Sequence, residues 1–230
     1  MCTAVGGRVF KWNDQLMEKN MKVRTLLFGA VAFLLAPHLA FADAFDKYRI
    51  ACNAQQTAEL EAAVKNAVDL AQKASAKLPP VNSTGGARFK RWFGGKEGDY
   101  DPVIKSVYDE MQFLLLFKTF WCLPPNSTTP EAWIHTNAFV LRGGVGEIFV
   151  LSNFFQLPTT GTASRGGTIV HESAHQSTRR KIVDDDINGD GINDYGWANA
   201  EKRASQFPDW ARNNSDNYKY FAEDVVYSVP

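Results

Sequence analysis

The sequence predicts an α+β fold, mainly helical with a small β-sheet. Three observations lead there: a long stretch with apolar residues at helical spacing, two short β-branched and aromatic runs flanking a glycine-rich connection, and renewed helical periodicity towards the C-terminus. With 230 residues, 45% of them hydrophobic and 13% aromatic, the chain can bury one substantial core, so a single folded domain is expected.

The elements follow in order. From Thr57 to Leu78, Leu60, Ala63, Val64, Ala67, Val68 and Ala71 recur with a helical period, and Pro79-Pro80 stop the run. Residues 81–98, rich in Gly, Ser and Asn, read as a loop pinned by Phe89, Trp92 and Phe93, and a second helix is expected from Pro102 to about Phe120. Residues 132–141 and 147–151, joined by Arg142-Gly143-Gly144-Val145-Gly146, read as a hairpin, with His135 an ordinary packed residue. Thr168 to Ser177 reads as a helix, and Trp197 to Ser205 and Trp210 to Tyr227 as closing helices, with Pro208 at a helix start.

The formal charge is zero, 25 basic residues against 25 acidic, so no long-range field draws the chain to nucleic acid or an anionic membrane. The aromatic and basic interleaving around Trp92 is accordingly read as packing. Residues 21–42 have the anatomy of a secretory signal: Lys22 and Arg24, an apolar run from Leu26 to Ala36, and Ala40-Phe41-Ala42 before Asp43. The run is short for a membrane anchor and is broken by Pro37 and His38, so no membrane association is expected once it is removed. Residues 1–20 do not fit in front of a signal, which makes Met21 the candidate start and 43–230 the exported domain. That domain retains Cys52 and Cys122, which are expected to pair in an oxidising compartment.

His171-Glu172-Ser173-Ala174-His175 carries the chemistry. On a helix, histidines four apart share a face and can reach one zinc ion, while Glu172 sits beside a metal-bound water as its general base. Water is then the nucleophile, and a protein or peptide is the substrate. A third ligand has to come from Asp184, Asp185, Asp186, Asp190 or Asp194.

Several segments together resemble the aspzincin metallopeptidases, the deuterolysin and lysine-specific endopeptidase group: Cys52, Trp92-Phe93-Gly94, Phe120 with Cys122, Gly167-Thr168 leading into His171, Tyr195-Gly196 with Ala198 and Ala200, Asn214-Ser215-Asp216-Asn217-Tyr218, and Tyr220-Phe221-Ala222-Glu223. The resemblance implies a zincin-like fold with the small sheet lining the active-site cleft, a secreted zinc endopeptidase acting as a monomer, an Asp as third zinc ligand, and Tyr195 as hydrogen-bond donor to the oxyanion. The family spacing is interrupted here. Counting forward from His175 favours Asp184, whereas counting back from Tyr195 finds Ile192, so Asp184 is expected to bind zinc, with Asp185 and Asp194 in reserve.

The inserted residues have calcium-loop spacing: Asp186, Asn188, Asp190, Ile192 and Asp194 at positions one, three, five, seven and nine, and Gly191 at six. Trp197 occupies position twelve, so a second cation, Ca2+, would need to borrow a carboxylate such as Glu201 and would serve to stiffen the insertion. In the lysine-specific relatives two acids three apart receive the substrate's lysine; the matching positions are Asp216 and Lys219, which implies a substrate pocket without strict lysine preference. The rival reading is an inactive secreted zincin acting as a calcium-stabilised binding module.

Overall fold

The computed structural model describes residues 49–78, 86–95, 101–123, 136–141 and 146–228. The upstream segment, the signal at 21–42, His135 and most of the glycine-rich connection lie outside the described residues.

Helix α1, Ala54–Lys77, opens with a capping box: the Asn53 side chain accepts from the Gln56 amide, and the Gln56 side chain accepts from the Asn53 amide. Its buried face holds Leu60, Ala63, Val64, Ala67 and Ala71 of the expected stripe, with Leu70 added and Val68 only partly buried. Residues 87–93 are a helix where a loop was expected. This helix, α2 (Ala87–Phe93), buries Phe89, Trp92 and Phe93 at i, i+3 and i+4, and ends on Gly94 at φ 63°. The Gly, Ser and Asn residues that suggest a loop lie on either side of this helix and none within it.

Helix α3, Pro102–Leu114, is capped by Asp101, whose side chain accepts from the Val103 amide. It ends six residues before the expected limit of Phe120. A 3-10 turn over Leu115–Phe117 leads into strand β1, Thr119–Cys122. The continuous apolar run across 113–117 hides this change, because without alternation a buried strand and a helix end look alike.

The hairpin is present: β2 (Ala138–Phe139) pairs antiparallel with β3 (Glu147–Val150), and Phe139 stacks on Phe149 at 4.9 Å. β1 adds to the other edge of β3 in parallel, placing Phe120 opposite Ile148 and giving the order β1-β3-β2. A disulfide joins Cys52, just before α1, to Cys122 at the end of β1.

Helix α4, Arg165–His175, packs against α1 and, together with the last helix of the chain, forms the centre of the fold; β2 lies against it. Helices α5 (Trp197–Gln206), α6 (Pro208–Ala211) and α7 (Ser215–Tyr227) close the domain, so the two expected closing helices become three. No helix among the described residues is long and apolar enough to cross a membrane.

Candidate active site

Helix α4 carries His171, Glu172 and His175, and every residue from Gly166 to Ala174 is buried. Its start is fixed twice. The Ser164 hydroxyl accepts from the Gly167 amide, and the Glu223 carboxylate of α7 accepts from the Ala163 amide, the Ser164 amide and the Ser164 hydroxyl. An anion there also complements the helix dipole. Gly167 is required by this approach: a Cβ on it would stand 1.9 Å from Glu223 Oε1.

The two imidazoles are oriented from behind. His171 Nδ1 donates to Asp216 Oδ1 at 2.8 Å, and His175 Nδ1 donates to the Ile182 carbonyl at 3.1 Å. In neutral imidazoles this places both lone pairs on Nε2, and the two Nε2 atoms lie 3.3 Å apart. Asp184 completes the convergence, with Oδ1 3.4 Å from His171 Nε2 and Oδ2 3.2 Å from His175 Nε2. Among the described residues these three form the group of His, Cys, Asp and Glu able to hold a metal ion, their ligand atoms all within 4.8 Å of one another. Two nitrogen lone pairs and a carboxylate facing one point repel unless a cation or a proton lies among them, so the donor set fits a divalent cation.

Protonation follows the same geometry. Burial alone would depress both histidines, but the Asp184 carboxylate, aided by Asp216 at His171, raises them; burial would likewise raise Asp184, but the two histidines outweigh it and hold Asp184 far below the usual carboxylate range. Burial pushes the Glu172 carboxyl up against the opposing pull of the two histidines, and Glu172 Oε1 lies 4.0 Å from His171 Nε2. Tyr195 is 54% exposed, and its hydroxyl donates to Asp184 Oδ2 at 3.0 Å. Partial burial and the neighbouring Asp184 anion raise its pKa, so it remains a donor.

The aspzincin family, described as lysine-specific metallo-endopeptidase, matches residues 80–223. The chain belongs to the aspzincin family.

A peptidyl-Lys metalloendopeptidase of Pleurotus ostreatus is 31% identical over 176 residues, covering 76% of this chain and 95% of the relative. An extracellular protease of Aeromonas hydrophila is 30% identical over the same share of this chain, but the match spans only 46% of that protein. Among solved structures, a zinc peptidase from Grifola frondosa superposes with a TM-score of 0.62 at 27% identity, over 75% of this chain and 97% of that one.

The insertion that breaks the aspzincin spacing is closed at its base. The Asp194 amide donates to the Asp185 carbonyl at 2.9 Å, so residues 186–193 bulge outward while Asp184 and Tyr195 stay side by side. Arg203 of α5, 0% exposed, clamps this base by donating to the Asp185 carboxylate, the Asp194 carbonyl and Asn214 Oδ1. The reserve ligands are therefore otherwise engaged: Asp185 with Arg203, and Asp194 Oδ2 with the Ile187 amide at 2.7 Å.

The calcium expectation finds no support. Asp186 accepts from the amides of Gly189, Asp190 and Gly191, Asn188 from Asp190, and Asp190 from Ile192, so the loop's oxygens serve its own backbone. Trp197 at position twelve packs edge-on against Trp92, and the carboxylate available for borrowing, Glu201, is paired with Arg91 at 2.6 Å. Ile192 stands 70% exposed. What ties the base of the loop to the fold here is Arg203, through Asp185 and Asp194.

The expected substrate pocket at Asp216 and Lys219 also changes character. Asp216 is 2% exposed, with one oxygen on His171 and the other accepting from the Gly196 amide at 2.6 Å, so it links the Tyr195-Gly196 turn to the first histidine. Lys219, 9% exposed, sits 3.9 Å from Asp216 Oδ1 and over the Tyr220 ring. Burial pulls its pKa down, but Asp216, Tyr220 and Glu223 together outweigh that and raise it to about 12. Sequence reasoning assigned no role to Arg203, Ser215 or Glu223. The last two belong to the segments that carry the family resemblance, and Arg203 left no signal beyond a cation on a helix.

Proposed function

We propose that this chain is a secreted zinc-dependent endopeptidase in which His171, His175 and Asp184 hold the metal and Glu172 is the general base. The convergence of two Nε2 atoms and one carboxylate beside the buried Glu172 carries this reading. Three protein ligands leave a coordination position for water or substrate, as catalytic zinc sites require. Zinc, when bound, supplies a Lewis acid that lowers the pKa of water toward about 7 and polarises the scissile carbonyl.

The chain's own residues do the rest. Glu172 takes a proton from the attacking water and delivers it to the leaving amine; its burial raises its affinity for that proton and suits it to both steps. Tyr195 swings its hydroxyl from Asp184 Oδ2 to the oxyanion of the substrate and, with its raised pKa, donates without losing its proton. Asp216 and the Ile182 carbonyl keep each histidine in the tautomer that presents Nε2. The relative named extracellular protease and the secretory anatomy of residues 21–42 support export.

Strict lysine preference is not expected. Asp216 is buried, with both oxygens engaged by His171 and the Gly196 amide and its charge matched by Lys219, so it offers no free carboxylate to a substrate ammonium. The test is cleavage of a denatured protein and of a peptide library by purified protein, with chelator and after zinc is returned. Activity abolished by chelator and restored by zinc supports the reading, and chelator-resistant cleavage or none at all refutes it. A product set dominated by cuts beside lysine would refute the specificity.

A further inference from the structure

Ser215 is the first residue of α7 and is 0% exposed. Its hydroxyl donates to Asp184 Oδ1 and lies 3.1 Å from His171 Nε2. It has one proton to give, and the carboxylate is the stronger acceptor, so the bond to Asp184 fixes the hydroxyl's orientation. The neighbours of Ser215 hold the same region: Asn214 caps α7 and bonds the Val183 carbonyl and the Asp185 carboxylate, while Asp216 orients His171. Three successive side chains at one helix start thus grip the extended segment that carries Asp184 and the helix that carries His171.

With Oδ1 held by Ser215, Oδ2 is the oxygen closest to His175 Nε2 and the one that carries the Tyr195 hydroxyl. We propose that Ser215 is a positioning residue that restricts Asp184 to a single metal-binding oxygen, so that the site keeps an open coordination position instead of losing it to a chelating carboxylate. This rests on the zinc reading of the site. Without the hydroxyl, Oδ1 loses its restraint while Oδ2 keeps the Tyr195 hydroxyl, both oxygens compete for the ion, and the third ligand is less ordered before binding. Outer partners of metal ligands typically contribute 10–100-fold in metal affinity or activity, and Ser215 holds a single bond, so the lower end of that range applies.

The test is Ser215→Ala, which removes one buried oxygen and adds no bulk. Zinc dissociation constants are measured by competition with a chromogenic chelator on the folded metal-free proteins, and visible spectra are recorded after loading with Co(II). The expected result is roughly tenfold weaker zinc binding, with a weaker cobalt absorption band as the ion moves from four to five or more ligands. An unchanged cobalt spectrum overturns the inference whatever the affinity does. Wild-type protein that takes up no zinc overturns the zinc reading itself, and the inference with it.

Discussion

Replacing Arg203 with Met tests how the inserted loop is held. The side chain is fully buried, and its guanidinium meets the Asp185 carboxylate, the Asp194 carbonyl and Asn214 Oδ1. Removing one partner of a buried ion pair costs about 3–5 kcal/mol, because the remaining charge is left uncompensated. Asp185 keeps some solvent contact and a second donor, Asn214 Nδ2 at 3.2 Å, so the lower figure of about 3 kcal/mol applies. For a domain of this size that is a fall of roughly 6–12 °C in melting temperature. Burial already pushes the Asp185 carboxyl up against the pull of Arg203, so losing the guanidinium raises it further. The penalty is then full where Asp185 is charged and shrinks as pH falls through its folded pKa. Calorimetric melts of metal-free wild type and variant, at neutral and at mildly acidic pH, read both effects. A variant melting within about 2 °C of wild type at neutral pH would show that Arg203 does not hold the loop.

Two further outcomes follow from the same geometry. Asp184→Ala is expected to abolish tight zinc binding, whereas Asp194→Ala keeps it and Asp185→Ala lowers the melting temperature more than the affinity; metal analysis after dialysis separates them. Lys118, donating to Gln176 Oε1 at the end of α4, has its ammonium pushed down to about 8 by burial, against a modest opposing pull from Glu110. Between about pH 8 and 10.5 the unfolded chain binds the proton that the folded chain has released, so stability rises with pH across that window, and Lys118→Met, measured by denaturant unfolding, removes the rise.

The sequence was most informative where one local rule decides the outcome. The helical stripe from Leu60 to Ala71, the histidines four apart and the pair Cys52 and Cys122 each rest on one local rule, and the helix, the shared face and the disulfide are found. It was least informative where two rules compete. Phe89, Trp92 and Phe93 had helical spacing inside a loop-like composition, and Thr119 to Cys122 continued an apolar run without alternation. The third ligand was ambiguous because spacing along the chain cannot register that an insertion is closed at its base; the Asp194 to Asp185 hydrogen bond removes residues 186–193 from the count. Asp216 was placed in a substrate pocket by analogy, and only three dimensions reveal that its oxygens are taken by His171 and Gly196.

The most direct test of the account is Glu172→Gln. The substitution preserves shape and leaves His171, His175 and Asp184 in place, but removes the group that accepts the proton. Peptide hydrolysis by the zinc-loaded variant, with zinc content measured on the same sample, is expected to fall at least about a hundredfold while one zinc per chain remains bound. Near wild-type turnover with zinc in place would contradict the proposal that Glu172 is the base and that this site cleaves peptide bonds.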